Sequence, residues 1–152
     1  MRRGRDNKFK IQYVPLIWNM LNQKAYKKLP PSSAKALPYF LGKVKLWFDN
    51  PERYSQEFHF SYSEGKRLGF ASSTFSKVIQ ELVSYGFIDP VDKGGLRGCG
   101  RSFSVFKLSM RWEDYGTDKF KSINWKCFSP RDQRQLQKGK RTTSKNEMSA
   151  HV

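Results

Sequence analysis

Cysteine and histidine are almost missing from this chain of 152 residues, with two of each. Cys99 and Cys127 are too few and too isolated for a zinc site or a disulfide framework, so a reduced intracellular compartment is expected. His59 and His151 stand far apart, and His59-Phe60-Ser61 lacks the second metal-binding histidine that a rolling-circle nicking enzyme needs. There is no Gly-rich Lys-Ser/Thr phosphate loop, no Gly-x-Ser-x-Gly elbow and no His-Glu-x-x-His. Asp89 and Asp92 bracket Pro90 and read as turn residues rather than a metal pair. The chain is therefore expected to be no enzyme and to hold no metal or cofactor. No apolar run approaches the roughly 18 residues of a membrane span, so no membrane partner is expected. Gln12, Asn19 and Asn22 interrupt what would have to be the apolar region of a signal peptide. No internal repeat and no heptad segment is visible, which leaves a homodimer open.

Acidic charge is the other scarcity: 13 Asp+Glu stand against 29 Lys+Arg, a formal net charge of +16. Charge of that size attracts polyanions and supplies affinity and on-rate without specifying a sequence. Residues 1–10 and 129–152 carry +4 each, so 11–128 keeps +8 and is basic in its own right. The expected organisation is a flexible basic arm over 1–10, one domain with a C-terminal extension over 11–128, and a disordered basic tail over 129–152. From Ser129 onward apolar residues nearly vanish, and the tail cannot bury enough surface to offset its ordering entropy.

Along the domain, Pro15 suits a first helical turn with Leu16, Ile17, Met20 and Leu21 behind it. Lys24 to Leu29 reads as a second short helical piece, with Ala25, Tyr26 and Leu29 turned inward. Ser32 or Ser33 looks like the N-cap of a helix of about 14 residues through Leu37, Phe40, Leu41 and Val44. Pro38 inside that pattern predicts a kink or a later start. Residues 52–57 read as a loop, and Phe58 to Tyr62 alternates like a strand. Ser63 would cap one or two helical turns closing at Gly69, and Ser72 would cap the next helix.

That helix carries the most information. Phe75, Val78, Ile79 and Leu82 fall on one side at i, i+3, i+4, i+7 spacing, while Ser73, Lys77, Gln80 and Ser84 fall on the other. Gly86 stands where a C′ glycine is expected. Phe87-Ile88-Asp89 and Phe103 to Leu108 read as antiparallel strands around a loop, Asp92 to Ser102, that is rich in glycine and arginine. Arg111 to Tyr115 reads as a turn of helix, and Phe120, Ile123, Trp125 and Phe128 as aromatic and aliphatic anchors that pack back on the domain.

A short helix, a glycine-containing turn, an amphipathic helix and a basic hairpin make up the pattern of a winged helix-turn-helix. On these residues, from 58 to 108 and more loosely over 13–48, the chain resembles winged-helix domains of bacterial plasmid and phage proteins. That family includes replication-initiator-like and regulator-like members, and the Leu82-Val83-Ser84-Tyr85-Gly86-Phe87-Ile88 ending is similar to that of such domains. The resemblance implies an α+β fold, mainly helical, with a C-terminal β-hairpin wing. It also implies binding of double-stranded DNA in transcription regulation or replication initiation of a mobile element, in the cytoplasm and associated with the nucleoid.

The residues divide by role. Gln80 suits adenine and Lys77 guanine or phosphate, while Ser73, Thr74 and Ser76 suit phosphates near the helix N-terminus. Lys66 and Arg67 on the supporting helix suit phosphates, and Lys93, Arg97 and Arg101 on the wing suit the backbone or a minor groove. The plainer alternatives are a solvated helix face and a mobile loop tip. Glu81 is expected to pair with a neighbouring cation. Phe58, Phe60, Tyr62, Phe70, Phe103 and Phe106 could be stacking platforms for single strands, but alternation in short strands more often means core. Two rival functions stay open: an RNA-binding or ribosome-associated basic protein, and a protein-interaction module kept soluble by its charge.

Overall fold

In a computed structural model of the protein, residues 12–47, 49–94 and 103–128 are described. They form an α+β domain in which five helices surround a three-stranded antiparallel sheet. In chain order the elements are α1 (Trp18–Leu21), α2 (Lys24–Lys28), α3 (Pro31–Leu41), β1 (Glu57–Ser61), α4 (Tyr62–Arg67), α5 (Ser72–Ser84), β2 (Ile88–Asp92) and β3 (Phe103–Leu108). Two 3-10 turns, Pro51–Tyr54 and Arg111–Asp114, complete them.

The sheet order β1-β3-β2 puts β3 in the centre, with Phe58 opposite Phe106 on one side and Pro90 opposite Phe106 on the other. Pro90 cannot donate to a ladder, and β2 is an edge strand, the position where a proline is tolerated. The register slips between Pro90 and Asp92. Asp89 lies in the strand, as the Phe87-Ile88-Asp89 pattern predicts, and the strand runs on through Pro90 to Asp92, which is therefore no turn residue.

The core lies between α3, α5 and the sheet. Phe40 sits at its centre, with the rings of Phe58, Phe60, Phe75 and Phe106 at centroid distances of 4.5–6.3 Å. From α5, Phe75, Val78, Ile79, Leu82 and Val83 are buried, as the helical spacing predicts. The extension also packs back: Trp112 and Trp125 are buried, Trp125 against Phe106 at 5.4 Å.

Helix boundaries differ from expectation for local reasons. α3 has Pro30 as its N-cap and Pro31 at N1, where a missing N–H costs nothing, so neither Ser32 nor Ser33 caps it. It runs 11 residues rather than about 14, and it includes Pro38 instead of starting after it. α1 starts at Trp18, leaving Pro15 in an extended lead-in and Leu16 exposed. α4 is capped by Ser61 rather than Ser63, because only Ser61 places Glu64 at N3 to complete a capping box. The N-cap of α5 is Ala71, so Ser72 is its first helical residue and not its cap. Phe87 precedes β2, its ring stacked on Trp112 at 6.3 Å, while its carbonyl accepts from Ser109 N at 3.0 Å just beyond the end of β3.

Two buried or half-buried charges hold the loops. Residue Arg53, only 5% exposed, donates through Nη1 to Leu46 O at 2.5 Å and Val44 O at 3.4 Å, and through Nη2 to Leu41 O at 3.4 Å. Burial lowers its pKa from the ordinary arginine value. Glu64 receives the Lys43 ammonium and the Ser61 N–H, the latter at 2.8 Å. Burial works to raise its pKa, but the hydrogen bonds from Lys43 and Ser61 outweigh it, and the net shift is downward. A carboxyl with a depressed folded pKa adds stability above its unfolded pKa and loses it as pH falls through the folded value. Glu64→Gln is therefore expected to lower the melting temperature at neutral pH and to shrink the drop in melting temperature between neutral and acid pH. Thermal melts across that range read both effects.

Candidate nucleic-acid interface

The outward face of α5 is built by the same periodicity that buries its inward face. Ser72, Ser73, Ser76 and Lys77 are exposed, and Thr74, Gln80 and Ser84 are half-buried on the flanks. No side chain caps the N-terminus of α5 and no acidic residue stands in its first turn. Its first N–H groups are thus not taken by a side chain, and the positive end of the helix is not neutralised. Short hydroxyl side chains keep the backbone of that turn approachable.

Lys66 and Arg67 close α4 one turn earlier in the chain, and both are exposed. Glu64 forms an ion pair with Lys43, and Asp89 forms one with Arg111. Neither pair involves Lys66, Arg67 or Lys77. The structure therefore brings Ser73, Ser76 and Lys77 together on one open helix face, with Gln80 at its edge.

Lys93 has a different setting. Its ammonium donates to Trp125 O at 3.0 Å and Lys126 O at 3.3 Å, and it lies 4.8 Å from the centroid of the Trp125 ring. It ties the C-terminal extension to the base of the β2–β3 hairpin. Arg97 and Arg101 lie outside the described residues, as do Cys99 and both charged ends of the chain.

Glu81 departs from expectation: it accepts from the hydroxyl of the fully buried Ser33 at 2.5 Å, linking α5 to α3, rather than pairing with a cation. A serine at an α3 position read as a cap gives no sequence signal for a contact 48 residues away. Arg111 carries no sequence signal of its role either. It donates to Asp89 at 2.6 Å, to Val83 O and Lys121 O at 2.8 Å each and to Ile88 O at 3.1 Å, clamping the end of α5, β2 and the extension together.

The aromatics of the strands are core more than platform. Phe58, Phe60, Phe70 and Phe106 are buried, Tyr62 is half-buried against Phe75, and Phe103 is half-buried against His59. No group of three His, Cys, Asp or Glu that could hold a metal ion occurs among the described residues, and no helix there is long and apolar enough to cross a membrane. Compared with family models, curated proteins and solved structures, the chain matches none. Its functional reading rests on its own geometry.

Proposed function

We propose that the chain binds double-stranded DNA as a winged helix-turn-helix, with α4 and α5 as the helix pair and the β2–β3 hairpin as the wing. The observation that carries this reading is the open face of α5, with Ser73, Ser76 and Lys77 exposed, immediately before an antiparallel hairpin in a chain of formal charge +16. The major groove admits one α-helix, and its base edges are read by lysine, glutamine and serine. The N-terminal turn of α5, with Lys66 and Arg67 beside it in the chain, suits phosphate contacts. Transcription regulation or replication initiation on a mobile element, in the cytoplasm at the nucleoid, is the role this binding would serve.

Selection of bound sequences from random duplex DNA tests the reading first. On the selected site, Lys77→Ala with Gln80→Ala should cut the ratio of specific to non-specific affinity by about 30-fold or more, since each of the two base contacts discriminates by about 1–3 kcal/mol. Non-specific binding should fall much less, because it depends on total charge. An unchanged specificity ratio in the double variant would overturn the assignment of α5 as the reading helix.

A further inference from the structure

The strand aromatics Phe58, Phe60 and Phe106 are buried and cannot meet bases. The exposed large apolar side chains of the described residues lie elsewhere, between positions 13 and 47: Tyr13, Val14, Leu16, Trp18, Tyr39 and Trp47. Tyr13 and Trp47 are 65% and 64% exposed, with ring centroids 6.3 Å apart and planes tilted by 59°. They flank a groove of about 620 Å³ between the lead-in to α1 and the loop after α3, walled by Val14, Pro15, Val44 and Leu46. That volume falls within the range of about 300–1,000 Å³ common for ligand sites.

The charges of the groove have one sign. Lys45 stands exposed on its wall, Arg53 lines it, and no carboxylate does among the described residues. The Arg53 side chain is buried with three N–H···O bonds to backbone carbonyls, and it has no acidic partner among the described residues. Carbonyls accept from a guanidinium without cancelling its charge, so these bonds leave it positive. A second copy of this basic chain meets like charge there, whereas a polyanion is attracted.

We propose that this groove is a second nucleic-acid site, one that takes an unpaired stretch of strand. Base faces stack on Tyr13 and Trp47 and phosphates lie toward Lys45 and Arg53, the combination of aromatic platform and cationic track by which single strands are held without sequence preference. It is distinct from the α5 face and does not depend on the reading of that face.

Fluorescence anisotropy of labelled oligo(dT) and of a labelled duplex, each titrated with the full chain, tests this. Trp47→Ala should weaken oligo(dT) binding on the order of tenfold, the loss of about one stacked base, and leave duplex binding unchanged. Trp47→Phe should restore most of the loss, because a ring remains. Trp47 is largely exposed, so the fold should hold, and an unchanged thermal melt checks that. Lys77→Ala with Gln80→Ala should leave oligo(dT) binding intact, which separates this site from the duplex site. Four results would overturn the proposal: no change with Trp47→Ala, an equal loss on duplex and single strand, competition by thymidine monophosphate as strong as by oligo(dT), or loss of self-association instead of strand binding.

Discussion

Phe40→Ala should destabilise the domain by about 3–5 kcal/mol, the cost of deleting a buried phenylalanine and leaving a cavity. Phe40 has no exposed surface, and four other phenylalanine rings converge on it from β1, α5 and β3. Removing it takes away aromatic contacts worth about 0.5–1.5 kcal/mol each beyond their buried area. The four neighbours are anchored on three different elements, so they cannot collapse inward together. Against a typical total stability of about 5–15 kcal/mol, the variant should be close to unfolding at physiological temperature. Urea denaturation measures it; a midpoint within experimental error of the wild type would mean that Phe40 is not the centre of the core. Phe40→Leu should recover most of the loss, because it keeps apolar volume in place.

How legible that centre was in the sequence depends on the kind of signal. The inward face of α5 was readable because Phe75, Val78, Ile79 and Leu82 repeat at helical spacing, and all are buried. Strand β3 was readable from end to end, since Phe103 to Leu108 alternates between half-buried and buried. The short helix α2 and the turn at Arg111 were legible as well. Caps were less so, because a run such as Ser61-Tyr62-Ser63-Glu64 or Ala71-Ser72-Ser73 offers neighbouring candidates. At α4 the Ser61-x-x-Glu64 capping box decides between them, a local signal that the choice of Ser63 overlooks, whereas α5 starts after Ala71 with no side-chain cap at all. The polar partners across long separations were not legible at all. Ser33 with Glu81, Arg53 with the carbonyls of 41–46 and Arg111 with Asp89 each join residues that no periodicity relates.

The candidate interface divides along the same line. Ser73, Ser76 and Lys77 could be assigned to an open face because a helix fixes every side chain by its spacing. Lys93 could not, because a loop fixes none of them, and its ammonium is turned onto Trp125 and Lys126. The exposed pair Tyr13 and Trp47 escaped for a further reason. Composition counts aromatics as core, and only the fold shows which of them no element covers.

A comparison of Gly86→Ala with Gly69→Ala should show the second large effect, and its cause. Both glycines have a positive φ, +89° at Gly86 and +94° at Gly69, so an alanine at either meets the same conformational penalty of about 1–2 kcal/mol. Their surroundings differ. A Cβ at Gly69 would have no atom within 4 Å, whereas one at Gly86 would lie 2.7 Å from Trp112 N and 2.8 Å from Arg111 C. Those are backbone atoms, and they cannot swing aside as a side chain does. Gly86 also ends α5, its N–H donating to Val83 O at 3.2 Å, while its own carbonyl accepts from Trp112 N at 3.1 Å. Displacing the Arg111–Trp112 segment breaks that bond and pulls at the Arg111 clamp on Asp89, Val83 and Ile88. Adding a crowding cost of about 1–3 kcal/mol gives an expected loss of about 2–5 kcal/mol at Gly86, against about 1–2 at Gly69. Urea midpoints of the two variants should therefore separate clearly. If they coincide, the Arg111–Trp112 segment yields freely, and the C-terminal extension is not held to the end of α5 by this contact.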